Sequence, residues 1–281
     1  VTDTLFADVS EWQTYVDDSY TDAGYRFISI RSNDGTYRDR KFRENYDWCR
    51  RSVDAGRLDG FIVYFVYRPN WADTLQTFVD SIGSGHEGLA AMLDVESWGD
   101  QIFGDNSDSI NRLWWGTREH LGGDTPRVIS YLNPNDHHIW LDRAPTKFVV
   151  PSYGRTPVFS RPGWPDLSDI ERGMIAHQYT DGQGYGGGLP EGAPPFGRCD
   201  MNSANGLSSK ELAAACGIGT GGFLMALTDD EQRELLTKTR DVWDQLRGPK
   251  GEGWPQLGQN ADGANLTPVD ALAEIKKAAE K

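Results

Sequence analysis

The sequence predicts an α/β protein: an irregular, TIM-like (β/α)8 barrel with some helices missing, followed by a small C-terminal α-helical tail. Three observations lead there. Eight short apolar or β-rich segments recur along the chain, most of them roughly 20–40 residues apart. Helix-like stretches fill several of the gaps, and strand alternating with helix implies parallel strands. A polar or aromatic residue stands near the C-terminal end of almost every segment, the face where barrels of this kind build their sites.

In order, LFADVS carries Asp8 and RFISIRS carries Arg31. KFRENYDWCRRSVDAG then reads as a helix, with Phe42, Tyr46, Cys49 and Val53 at helical spacing. FIVYFVY carries Tyr64, LQTFVDSIG reads as a helix, and AAMLDVE ends in Asp94 and Glu96. INRLWWGTREHLGG is a further helix, followed by RVISYLN with Tyr131 and KFVVPSY with Tyr153. RTPVFSRPGWPDLSDIERG lacks helical periodicity and is rich in Pro, so it reads as a surface loop in place of a helix. MIAHQYT, with Gln178, and FGRCDMN, with Asp200, complete the set.

The barrel is assigned to residues 1–216 and a Gly-rich linker to 217–227, where GIGTGG has the composition of a hinge. A helical region is assigned to 228–281. TDDE, Thr228 to Glu231, has capping-box form. The helix after it runs to about Leu246, with Leu235, Val242 and Leu246 on one stripe and Leu236 and Trp243 beside it. Thr267-Pro268 opens a last helix with Pro at its first position. Two such helices cannot bury their stripes alone, so they pack on the barrel or associate with another copy, as a homo-oligomer.

The chain of 281 residues is 38% hydrophobic, enough for a sizeable core. A net charge of −14 argues against nucleic acid and against an anionic membrane surface. The longest apolar runs are strand-sized, so no membrane insertion is expected. VTDTLFADVS has no basic region followed by an apolar one, so no signal peptide is read there. Cys49, Cys199 and Cys216 are odd in number and far apart, which suits buried small hydrophobes better than a disulfide framework or a metal site.

In a strand, alternate side chains share a face, so Asp94 and Glu96 point the same way. Closing the barrel brings Asp8 beside Asp200, across the mouth from them. Crowded carboxylates cannot all ionise, and one kept protonated near neutrality is a general acid. Two chemistries use such a cluster. Glycoside hydrolysis needs an acid for the leaving oxygen and a second group for the oxocarbenium-like transition state. Hydrolysis by a divalent metal usually recruits His, and only His177 lies on a predicted strand, so no metal and no cofactor is expected. Tyr64, Tyr131, Tyr153, Tyr179 and the loop residue Trp98 stand where a cleft rim would be. Any one of them alone is more ordinarily packing, but as a set near four acids they suit the flat faces of sugar rings.

Several motifs resemble glycoside hydrolase family 25, the Chalaropsis-type lysozymes that include many phage endolysins. ADVSEWQ resembles its first strand, FISIRSNDGTYRDRKF its second-strand motif and MLDVE its paired-acid motif. VISYLNPN, HQYTDGQ and RCDMNSANG resemble its fifth-strand, seventh-strand and closing-aspartate motifs, in family order over residues 5–212. The resemblance implies an N-acetylmuramidase that cleaves the β-1,4 bond between N-acetylmuramic acid and N-acetylglucosamine in peptidoglycan. It makes Glu96 the general acid and Asp94 its partner, with Asp8 and Asp200 completing the cluster. Tyr64 and Tyr131 match its cleft aromatics, and with Arg31, Gln178, Tyr153 and Trp98, which the strand-end pattern places at the same mouth, they are the substrate-binding candidates. It also implies a phage endolysin, made in the host cytoplasm without a signal peptide and released through holin pores to act on the wall. The sequence departs from the pattern at His177, where Trp is common, at Tyr64-Phe65-Val66, where Tyr-His-Phe is usual, and at Asp34, where Glu is common. Two rival readings are a catalytically idle barrel serving as a wall-binding or phage structural protein, and a hydrolase of another acetamido-polysaccharide such as chitin.

Overall fold

A computed structural model describes residues 3–97, 101–123, 127–158, 167–219 and 229–280, without the side chains of 229–232. Trp98 and the proposed cap at Thr228 lie outside the described residues. The chain divides into two compact units, Val1–Gly221 and Gly222–Lys281.

In the first unit the elements run β1 (Leu5–Val9), α1 (Asp18–Asp22), β2 (Phe27–Asp34), β3 (Tyr37–Arg38), α2 (Phe42–Asp54), β4 (Gly60–Val66), α3 (Trp71–Ile82) and β5 (Leu89–Val95). They continue with α4 (Ser107–His120), β6 (Val128–Leu132), a 3-10 turn at Pro134–Ile139, β7 (Phe148–Pro151), α5 (Ser168–Gly173) and β8 (Met174–Thr180). The short β9 (Gly192–Ala193) and β10 (Gly197–Arg198) form a hairpin before β11 (Asp200–Ser203) and α6 (Ser209–Ala215). The sheet order β1-β11-β8-β7-β6-β5-β4-β2, with β1 also paired to β2, closes an eight-stranded barrel. All eight predicted segments contribute a strand.

Strands buried on both faces read as continuous apolar runs, and every residue of β5 is buried. Alternation then sorts the side chains. Ala90 and Met92 join Phe6, Phe27, Ile62, Ile129 and Val149 in the barrel interior. Leu89, Ala91, Leu93 and Val95 face the helices with Phe61, Val63, Phe65 and Phe78. By the same parity Asp94 points inward. Leu212 and Ala213 of α6, with Cys216 just after it, join the interior cluster. The Ser208/Glu211 capping box that starts α6 is written in SSKE.

The eighth strand differs from expectation. β11 runs antiparallel to both β1 and β8, whereas the alternating pattern predicts parallel strands throughout. After β8 no helix returns the chain to the far end of the barrel. Residues 181–199 stay at the mouth as loop and hairpin, and the strand re-enters from there. Asp200 therefore opens β11 instead of closing it, and still lies at the mouth, in register with Asp8. The Pro-rich gap between β7 and β8 also differs in part, since residues 168–173 form the short helix α5.

β1 meets β2 through only the pairs Asp8↔Ser29 and Val9↔Ile30. A buried side chain staples this seam: the Tyr20 hydroxyl accepts from Ala7 N at 2.9 Å and donates to Phe27 O at 2.7 Å. Tyr20→Phe leaves two buried backbone groups unsatisfied and is expected to cost about 1–3 kcal/mol. For a unit of this size that lowers the melting temperature by roughly 2–10 °C, as read by calorimetry.

In the second unit, α7 (Asp229–Arg247) is followed by a compact loop and α8 (Pro268–Ala279), which Thr267 caps in a box with Asp270. Trp254 donates its indole N–H to Gln245 O at 3.0 Å and its backbone N–H to Leu266 O at 2.9 Å, tying the loop to α7. Leu236, Val242, Trp243, Leu246, Val269, Leu272 and Ile275 are each half exposed or more. No helix among the described residues is long and apolar enough to cross a membrane.

Candidate active site

The strand ends open into a cavity of about 700 Å³. Asp8 from β1, Asp94 and Glu96 from β5 and its exit, and Asp200 from β11 all line it. Arg31, Tyr64, Tyr131, Tyr153 and Gln178 line it too. Tyr179, expected at the same rim, does not: it alternates with Gln178 on β8, is buried in the outer core and donates its hydroxyl to Pro190 O. The Tyr131 hydroxyl donates to Gln178 Oε1 at 3.1 Å, linking two of them across the wall.

The acids sit under electrostatic strain. Burial, then the neighbouring Asp200, pushes Asp8 up to about 8, against the pull of Tyr64 and Arg31. Burial and then Glu96 raise Asp94 well above the usual carboxylate range. Burial and then Asp136 bring Glu96 to about 7, while burial and Asp181 bring Asp200 to about 6. Asp94 Oδ1 is buried without a hydrogen-bond partner. The arginines nearest the cluster are engaged elsewhere. Arg31 Nε donates to Asp39 at 3.3 Å, and Arg68 forks onto Asp34 at 2.5 and 2.8 Å. Among the described residues none of the four acids forms an ion pair, so Arg31 and Arg68 only partly offset the crowding.

Three supporting residues escaped the sequence reading. Asp136 in the 3-10 turn accepts from Ser97 N at 3.0 Å and from Ser97 Oγ at 2.7 Å, fixing the residue after Glu96. Asp39, buried, also accepts from Glu11 N at 2.6 Å and so holds Arg31 in place. Trp12 lines the cavity and is 76% exposed. YRDRKF and ADVSEWQ contain Asp39 and Trp12, but only the fold gives them a neighbour. The departures at His177 and Phe65 face away from the cavity. His177 Nε2 meets Gly154 O at 3.1 Å, and Phe65 stacks on Phe78 at 4.2 Å. Asp34 is the partner of Arg68. The three cysteines are free and buried, and burial pushes Cys199 and Cys216 up to about 12, as inert thiols.

Residues 227–281 match the family model described as the Rv3766 C-terminal domain. Over 282 residues the chain is 54% identical to uncharacterized protein Rv3766 of Mycobacterium tuberculosis, covering 98% of this chain and 97% of that protein. The chain belongs to the Rv3766 family. Among solved structures, this Rv3766-family chain is similar to a family 25 glycosyl hydrolase from Bacillus anthracis, at TM-score 0.54 and 16% identity over 74% of this chain and 92% of that one. It is also similar to the catalytic domain of endolysin ply40 from bacteriophage P40 of Listeria monocytogenes, at TM-score 0.52 and 19% identity over 77% and 98% of the two chains. At these identities the likeness establishes a fold of the glycoside hydrolase family 25 type.

Proposed function

We propose that this Rv3766-family chain is a peptidoglycan hydrolase, an N-acetylmuramidase acting on the β-1,4 bond between N-acetylmuramic acid and N-acetylglucosamine. The observation that carries this reading is the convergence of Asp8, Asp94, Glu96 and Asp200, unpaired, on one open cavity. Glu96, held protonated near neutrality, donates its proton to the leaving glycosidic oxygen. Asp94, deeper and beside it, orients or stabilises the reacting sugar, and an ionised Asp200 offsets the positive charge of the oxocarbenium-like transition state. Tyr64, Tyr131 and Gln178 shape the wall that receives the ring, and Arg31 supplies the cationic group on that wall. Mass spectrometry of fragments released from purified peptidoglycan tests the reading. New reducing ends at muramic acid support it, and release of no fragment sinks it. Equal release from chitin would favour the hydrolase of another acetamido-polysaccharide.

The rate then requires a proton on Glu96 and a charge on Asp200. A general acid fails once it deprotonates, so kcat/KM is expected to fall above about 7. A stabilising carboxylate fails once it protonates, so kcat/KM is expected to fall below about 6. A narrow bell between these limits, measured on a soluble glycan fragment, is the expected profile.

The assignment of residues 1–216 as the catalytic barrel and 217–227 as a linker forms part of the proposal. For residues 228–281 we propose self-association or wall binding through the exposed apolar side chains of α7 and α8. Deleting 228–281 is expected to lower the mass seen by light scattering or to reduce sedimentation with walls, with barrel turnover little changed. Identical mass and binding would remove both roles. The phage-endolysin form of the reading, with holin-dependent release, rests on the motif resemblance. The relative, itself uncharacterized, comes from Mycobacterium tuberculosis, which fits a bacterial origin as readily as a phage one.

A further inference from the structure

We propose that Tyr153 and Tyr185 form a saccharide-binding platform that lengthens the acid-bearing cavity, so that the preferred substrate is a glycan strand extending past the cleaved bond. This rests on the hydrolase reading above. Tyr153, at the exit of β7, lines the cavity, and its ring stacks on Tyr185 with centroids 5.4 Å apart and planes 18° apart. The two rings remain 46% and 55% exposed. An aromatic pair kept only for packing would turn inward, because each ring carries a large apolar area. Here the pair stays about half exposed beside the cavity that Tyr153 lines, and a ring face left uncovered by the stacking would suit the apolar face of a pyranose.

The loop bearing Tyr185 is held ready in this position. The Glu191 carboxylate accepts from Gly184 N at 2.9 Å, from Gly186 N at 2.6 Å and from the Thr180 hydroxyl. The Tyr179 hydroxyl donates to Pro190 O at 2.7 Å. Gly187 has φ +62°, and a Cβ there would lie 3.1 Å from Arg155 N, so glycine lets the loop rest against the segment after Tyr153. A loop already ordered spares the ligand the entropy of ordering it. On the other side of Asp200 and Gln178, Trp12 presents an exposed indole to the same cavity, on a turn fixed by Gln13 Oε1 accepting from Ser10 N at 2.9 Å. Aromatic faces thus flank the acids on two sides, as a cleft open to a continuous strand requires.

The test compares wild type with Tyr185→Ala, Tyr185→Trp and Tyr185→Phe on long glycan strands and on the shortest fragment that is cleaved. Tyr185→Ala is expected to raise KM for strands by about tenfold, with kcat nearly unchanged, so that the preference for strands over fragments falls by about tenfold. The Trp and Phe variants keep the platform and the preference. Equal losses on both substrates, or an unchanged preference, would overturn the proposal. If the wild-type chain cleaves no glycan, the hydrolase reading fails separately, and retention on insoluble glycan strands decides the platform. Retention lost in Tyr185→Ala supports it, and equal retention overturns it.

Discussion

Glu96→Gln is expected to lower turnover on peptidoglycan by about 10²–10⁴-fold, the range a positioned general acid supplies. The carboxamide keeps the shape and loses the proton that the leaving oxygen needs. The loop should hold its place, because Ser97 and Asp136 fix it through bonds that do not involve the Glu96 side chain. The variant should therefore melt no lower than wild type and bind glycan as well, since a buried carboxyl under strain has been replaced by a neutral group. Reducing-sugar release measured beside a thermal melt checks both halves. A fully active Glu96→Gln protein would remove the mechanism, and a low melting temperature would show that the loss was structural.

Asp8→Asn is expected to stabilise the barrel, and increasingly so as pH rises. In the fold, burial and Asp200 hold the Asp8 proton to about 8, whereas the unfolded carboxyl loses it near its ordinary value of 3.8. Between those values the native chain binds more protons than the unfolded chain, so wild-type stability falls as pH rises. Asparagine cannot ionise and shows no such fall. The melting temperatures of the two proteins should be close near pH 4 and diverge by several degrees, on the order of 5 °C, by pH 8. Calorimetry across that range checks it, and parallel curves would show that Asp8 is not strained. The same substitution should reduce activity, since the stability gain comes from relaxing the cluster that the chemistry uses.

Much of this was legible before any coordinates. β4 and β5 announce themselves as apolar runs, and period-two alternation puts Asp94 and Glu96 on one side because pleating is a property of the backbone alone. The helices α2, α3 and α4 follow from apolar spacing, with α3 and α4 beginning a few residues earlier, at Trp71 and Ser107, than the periodicity suggests. Tertiary pairings were not legible. Nothing local marks Asp136 as the anchor of Ser97, 39 residues away, or Asp39 as the acid that aims Arg31. Nor does composition reveal that Phe65 and His177 turn their backs on the cavity, since that depends on counting parity from a strand start that only the closed sheet defines.

By itself the sequence determined the eight strand segments and the acids they carry, because alternation and apolar runs are local consequences of chain geometry. Only the tertiary structure decided the direction of the last strand. With no helix after β8 to carry the chain back, β11 enters from the mouth, which sets Asp200 against Asp8 at its first residue. The raised proton affinities follow from that closure, because burial and like-charge repulsion act through space and not along the chain.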